Sequence, residues 1–156
     1  DVIEDIARAA GVAGMVGGQQ RDMEAEGQTL SSEALKEIHR SKTGALIRVS
    51  LRVGALLADA SSERLEALTL YGEHLGLAFQ IVDDILDVVG SPEKMGKPAG
   101  SDATSAKSTY PALLGVEEAR SLAEKTVEEA VAALDIFGDE ATHLREMARF
   151  TLEREK

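Results

Sequence analysis

Apolar residues recur at helical spacing along almost the whole chain and nowhere alternate as a strand would. Residues 2–10 predict a short helix broken near Gly11. Gly17 and Gly18 follow, and a polar stretch over 19–30 leads out with Gly27 as its stop. Ser31 or Ser32 caps a long helix through Ala34, Leu35, Ile38, Ala45, Leu46, Val49 and Val53, ending near Asp59. Ser61 or Ser62 starts the next helix, which runs to about Gly90. Its second half is apolar nearly all round (Leu75, Leu77, Phe79, Ile81, Val82, Ile85, Leu86, Val88), the pattern of a central, buried helix. On the same face as Gln80, Gly72 and Gly76 leave room for a ligand or a close neighbour.

The period is lost over residues 90–109, where Gly, Pro, Ser and Lys dominate; a loop this long in a compact domain is functional or disordered. Thr109-Tyr110-Pro111 then opens a short helix that stops at Gly115. Two more helices follow, roughly 116–136 and 139–154, joined at Gly138. The fold class is all-α.

Composition narrows the function without choosing it. The 156 residues are 44% hydrophobic, which suffices for one domain with a sizeable core. Without cysteine there is no disulfide framework, thiolate metal site or Cys nucleophile. A net charge of −11 argues against a nucleic-acid partner, which needs a basic face. No apolar run is long enough to span a bilayer. The chain opens with Asp1-Val2-Ile3-Glu4 already in helical period, which reads as a cut inside a domain and leaves a lost targeting segment open.

Against that background Asp83, Asp84 and Asp87 stand out. They lie within one helical turn of the most apolar helix, on one side, with Gln80 extending the polar stripe. A carboxylate is costly to remove from water unless it is paired or metal-bound, and three together repel. A solvated charged face is the bland alternative, but it would not sit between Phe79-Ile81-Val82 and Ile85-Leu86-Val88-Val89. A metal or polyphosphate site fits better, and oxygen ligands suit a hard ion such as Mg²⁺. Lys94, Lys97 and Lys107 follow in the loop and supply the charge an anion needs, although three lysines in a polar loop mean little alone.

His39-Arg40-Ser41-Lys42-Thr43-Gly44 interrupts the apolar face of the long helix. Lys42 and Thr43 there either meet a partner or, for Lys42, snorkel to the surface. Glu140 and His143 have the Glu-x-x-His spacing of a di-iron bundle, but no second such pair exists, so they read as a surface turn.

Five blocks occur in order: Gly14-Met15-Val16-Gly17-Gly18-Gln19, Ile38 to Leu46, Phe79 to Val88, Gly96 to Asp102, and Lys107 to Gly115. The series resembles the C-terminal half of a trans-polyprenyl diphosphate synthase of the bacterial farnesyl or geranylgeranyl type, across essentially all of residues 1–156. The resemblance implies the C-terminal portion of a single isoprenoid synthase helical bundle and a homodimer, while a cytoplasmic setting is only the default expectation for a chain without cysteine. It implies a prenyltransferase that joins isopentenyl diphosphate to an ionised allylic diphosphate. Asp83, Asp84 and Asp87 match the family's second aspartate-rich motif, which binds Mg²⁺. Lys42, Lys97 and Lys107 match residues that hold or surround the allylic diphosphate, and Thr43 and Gln80 match polar groups facing the reacting carbon, which makes Lys42, Thr43 and Gln80 the catalytic candidates.

The family's first aspartate-rich motif and the basic groups for isopentenyl diphosphate are absent from these residues. The expectation is that residues 1–156 alone are catalytically inactive. Two other readings stand beside the enzyme: a non-catalytic helical subunit or regulatory partner with the same fold, and a terpene cyclase. Lys42, Thr43, Gln80, Lys97 and Lys107 speak for the enzyme over a pure scaffold, and the Lys42-Thr43-Gly44 segment speaks against a cyclase.

Overall fold

A computed structural model describes residues 2–89 and 107–154, and no strand occurs among them. Helices α1 (Val2–Ala10) and α2 (Met15–Glu24) precede α3 (Ser32–His39), which continues through a π-helical turn at Arg40–Gly44 into α4 (Ala45–Leu57). The long α5 (Ser62–Val89) comes next. After residues 90–106 follow α6 (Tyr110–Leu114), α7 (Val116–Ala133), a 3₁₀ segment (Asp135–Ala141) and α8 (Thr142–Glu153).

The expected boundaries have local causes. Ser31 caps α3, its Oγ accepting from the Ala34 N–H at 3.2 Å, and Ser61 Oγ accepts from the Arg64 N–H at 3.3 Å. Thr109 caps α6 in the same way through the Ala112 N–H. Gly27 takes a φ of 76°, which stops the polar stretch where expected, because only glycine enters that region without strain.

Three features differ from the sequence reading. Residues 15–24 form a helix, although their pattern is polar and contains two adjacent glycines. The glycines supply the reason: a Cβ on Gly18 would collide with the Lys42 backbone nitrogen, so α2 is held by a close backbone approach that hydrophobic period cannot reveal. The long helix expected from Ser31 to Asp59 is interrupted by the π turn, which adds a residue to one turn and shifts the faces beyond it. The helix expected to reach residue 136 ends at Ala133, and Gly138, at a φ of 52°, carries the kink before α8.

Helix α5 is the central element, as its all-round apolar pattern predicts, packing on α7 and on α4. Near its C-terminal half lies one core cluster, with Leu77, Ile81, Val82 and Ile85 against Leu35, Tyr110, Ala119 and Ala123. Nearer its start lies a second, in which Tyr71, Leu75 and Ala78 meet Val127, Ala130, Leu134, Ala141 and Ala148. Tyr71 is fully buried and its hydroxyl donates to the Leu144 carbonyl at 2.7 Å, tying α5 to α8; burial pushes its pKa up to about 12. No helix among the described residues is long and apolar enough to cross a membrane.

Gly72 and Gly76 answer the question of ligand or neighbour in favour of a neighbour. A Cβ on Gly76 would stand 2.7 Å from the Gly44 Cα, and one on Gly72 would stand 2.9 Å from the Arg48 Cα. Gly76→Ala therefore forces backbones apart and is expected to destabilise by about 1–3 kcal/mol. Gly54→Ala is the control: nothing lies within 4 Å of that Cβ. It should stabilise by about 0.5–1 kcal/mol through helix propensity. Urea unfolding midpoints check the pair, and a Gly76→Ala protein as stable as the parent would remove the contact as a packing constraint.

Candidate functional site

The π turn sits where two helices approach its backbone, Gly18 of α2 on one side and Gly76 of α5 on the other. That squeeze decides where its side chains go. Asp22, one turn beyond Gly18 on α2, meets Lys42, whose Nζ donates to its carboxylate at 2.7 Å. Thr43 points to α5, where its Oγ1 donates to Gln80 Oε1 at 2.9 Å. The bond occupies the hydroxyl hydrogen and leaves the Thr43 oxygen lone pairs available.

The segment leading into α6 closes the site. Ser108 Oγ accepts from the Leu30 N–H at 3.0 Å and donates to the Gln28 carbonyl at 2.9 Å, pinning this segment to the turn before α3. Lys107, just before it, thereby reaches the same Asp22 carboxylate at 3.3 Å. The Tyr110 backbone N–H donates to Asp84 Oδ2 at 2.9 Å, joining the segment to α5. A cavity of about 230 Å³ opens among these groups, lined by Asp22, Lys42, Gln80, Asp83, Asp84 and Lys107, with His39, Ser108 and Thr109.

The three aspartates differ sharply in exposure. The Asp83 side chain is 49% exposed, with the Arg154 guanidinium 3.5 Å away. Asp84 is 9% exposed by side chain, while Asp87 is 1% exposed and does not line the cavity. Among the described residues no three His, Cys, Asp or Glu side chains converge as a ready-made metal cage. The carboxylate set nevertheless fits Mg²⁺, which is ordinarily held by one or two carboxylates together with substrate phosphates. Asp83 has the exposure that mode of binding needs, and Asp84 Oδ1 has no hydrogen-bond donor among the described residues.

Electrostatics ties the rest together. Burial pushes the Asp22 carboxyl up, but the hydrogen bonds and charges of Lys42 and Lys107 outweigh burial and hold it below the usual aspartate value. On the far side of the π turn, Glu73 receives Arg48 at 2.8 Å and Arg40 at 3.2 Å, which likewise overcome its burial and lower its pKa. Tyr110 is 1% exposed, and burial, with Asp84 and Glu33 adding to it, pushes its hydroxyl up to about 12.

Of the site residues expected from sequence, Lys42, Gln80, Asp83, Asp84 and Lys107 meet at the cavity and Thr43 bonds to Gln80. Lys94 and Lys97 lie outside the described residues. Asp22 and His39 were not assigned from sequence. Asp22 follows the first glycine block by only three residues, and its signal is the helical i,i+4 step from Gly18, invisible while 19–30 is read as a polar lead-out. The Glu140 and His143 turn is a surface feature as expected, the His143 side chain being 97% exposed.

Residues 2–145 match the polyprenyl synthetase family. The chain belongs to that family. It is 45% identical over 159 residues to the farnesyl diphosphate synthase of Escherichia coli, covering 99% of this chain and 53% of that protein. To the farnesyl diphosphate synthase of Geobacillus stearothermophilus it is 51% identical over 119 residues, covering 76% of this chain and 40% of that one. The chain thus spans about half the length of the curated relatives it matches. Among solved structures, a Caulobacter crescentus polyprenyl synthase complexed with calcium and isoprenyl diphosphate superposes with a TM-score of 0.92. It is 28% identical, and the match covers 99% of this chain and 59% of that one. A geranylgeranyl pyrophosphate synthetase from Pyrococcus horikoshii superposes at 0.85 with 29% identity, covering 99% and 58%. These are the helical folds of isoprenoid synthases, and this polyprenyl synthetase chain shares them.

The pairing of Asp22 with two lysines has a pH signature. Its carboxyl is depressed in the folded state, so its contribution is present above the unfolded value and lost as pH falls through the folded one. Asp22→Asn should cost about 1–2 kcal/mol near neutral pH. In urea unfolding compared across pH, the gap from the parent should close as the solution is acidified below the aspartate range. A gap constant with pH would contradict the assignment.

Proposed function

We propose that this chain carries the leaving-group half of a prenyltransferase site, in which an allylic diphosphate ionises and isopentenyl diphosphate adds to the resulting carbocation. The observation that carries this reading is the convergence of Lys42 and Lys107 on one carboxylate, in a cavity that Asp83 and Asp84 also line. Two ammonium groups at one edge and carboxylates at another suit a bound Mg²⁺-diphosphate better than either ligand alone. The farnesyl and geranylgeranyl diphosphate synthases among the relatives support the same chemistry.

Asp83 is the principal metal ligand in this reading, with Asp84 and Asp87 completing the carboxylate stripe. Bound there, Mg²⁺ supplies positive charge that makes diphosphate a better leaving group. Lys42 and Lys107 move from Asp22 to the diphosphate oxygens as its charge develops, and Lys97, by the family match, adds to them. Thr43 and Gln80 face the reacting carbon, where their fixed oxygen dipoles stabilise the carbocation. The departing pyrophosphate accepts the proton that completes the extension. A homodimer is the assembly the family likeness favours, a cytoplasmic setting is the default for a chain without cysteine, and residues 1–156 belong to a single synthase domain.

A non-catalytic subunit with the same fold is the second reading. It is favoured by the structural duty of Asp84, which holds the first N–H of α6, and by Asp22, which already accepts a hydrogen bond from each lysine. The two readings separate on Asp83. In the whole protein Asp83→Ala should lower Mg²⁺-dependent prenyl transfer roughly 10²-fold or more, while the stability change, loss of the Arg154 pairing included, stays within about 1 kcal/mol. Unchanged turnover would sink the metal assignment. A polypeptide of residues 1–156 alone should show no prenyl transfer with radiolabelled isopentenyl diphosphate, and measurable product would refute the half-site reading.

A further inference from the structure

Buried polar groups nearly always find hydrogen-bond partners, so the exceptions point to something. Among the described residues, the buried side-chain nitrogens without a hydrogen bond belong to two residues, His39 and Arg154. Each faces one member of the aspartate pair: His39 Nε2 stands 3.5 Å from Asp84 Oδ2, and Arg154 Nη2 stands 3.5 Å from Asp83 Oδ1. Arg154 has a further partner in the Phe79 ring, whose centroid is 3.9 Å from its guanidinium carbon. Beside that approach to Asp84, His39 has among the described residues a tilted contact with the Tyr110 ring at 5.7 Å, and neither ring nitrogen makes a hydrogen bond. Its side chain is 8% exposed and lines the cavity.

We infer that His39 is a positioning residue for Asp84, its Nε2–H holding the carboxylate in the rotamer that offers Oδ1 to a cation. The inference rests on the proposed Mg²⁺-diphosphate reading of the site. Asp84 Oδ2 already accepts from the Tyr110 backbone N–H at 2.9 Å. A closure of about half an ångström brings Nε2 within ordinary hydrogen-bond range of the same oxygen. With both donors on Oδ2, the carboxylate cannot rotate, and Oδ1 is the oxygen left for the metal. The closure breaks no hydrogen bond of His39 among the described residues. Donors that fix a ligating carboxylate from behind matter to metal sites: their loss weakens metal binding by roughly 10–100-fold. His39 is also well placed in the chain for this work. It is the last residue of α3, directly before the π turn that delivers Lys42 and Thr43 to the same cavity.

The test is calorimetric titration of the whole protein with inorganic pyrophosphate in the presence of Mg²⁺, alongside thermal melting. Gln places an amide N–H near the position of Nε2, whereas Asn is too short to reach and Leu carries no donor. Asp84→Asn and His39→Leu should each weaken Mg²⁺-pyrophosphate binding roughly tenfold or more, and His39→Gln should restore it to within about threefold. A residue that only packs would change melting in these variants without this ordering of affinities. If Asp84→Asn weakens binding but His39→Leu does not, or if His39→Gln binds as weakly as His39→Leu, the positioning role is overturned and the metal reading survives. If Asp84→Asn binds like the parent, the metal reading of Asp84 falls and the inference with it. Should His39→Leu not fold, His39→Gln against His39→Asn decides: retained against lost affinity supports the role, and equal affinity overturns it.

Discussion

The close approach of two glycines to one turn of backbone is the constraint on which the rest of this structure depends. Gly18 lets α2 rest on the backbone of Lys42, and Gly76 lets α5 rest on Gly44. Between them the chain runs through a π turn, a geometry common at functional sites because the extra residue re-aims the side chains around it. Lys42 is sent toward α2 and Thr43 toward α5. A side chain at either glycine would collide with the backbone of that turn and force the helices apart.

Within that frame one carboxylate draws two lysines together. The chain is strongly acidic, yet its cavity holds two lysines, both resting on Asp22. Burial should raise that carboxyl, and the lysines reverse the direction. Asp22 therefore keeps two ammonium groups side by side at the cavity without leaving either unpaired in a partly buried site. Asp84 is stabilised differently, by the N–H at the start of α6.

Much of the helical framework was legible in the residues. Helix caps at Ser31 and Thr109, the glycine stop at Gly27 and the all-round apolar second half of α5 are local signals, and each corresponds to an observed boundary or packing. Helix α2 was not legible, because its stability comes from a tertiary contact through glycine rather than from apolar period. The π turn was hidden for a related reason, since the apolar spacing through residues 38–49 reads as one continuous helix. At the site, Lys42, Gln80 and the aspartates declared themselves as polar groups in apolar surroundings. Asp22 sits in a segment that is polar throughout, where one more carboxylate carries no signal.

What the sequence determined by itself is the all-α class, most helix boundaries and the placing of three carboxylates on the central helix. It also carries the family, through five ordered motifs. Which charges meet was decided only by tertiary structure: Lys42 and Lys107 on Asp22, Thr43 on Gln80, His39 beside Asp84. The physical reason is range. Caps and amphipathic faces arise from neighbours a few residues apart, whereas these pairings join distant segments through close backbone contacts, and no periodic pattern records those contacts in advance.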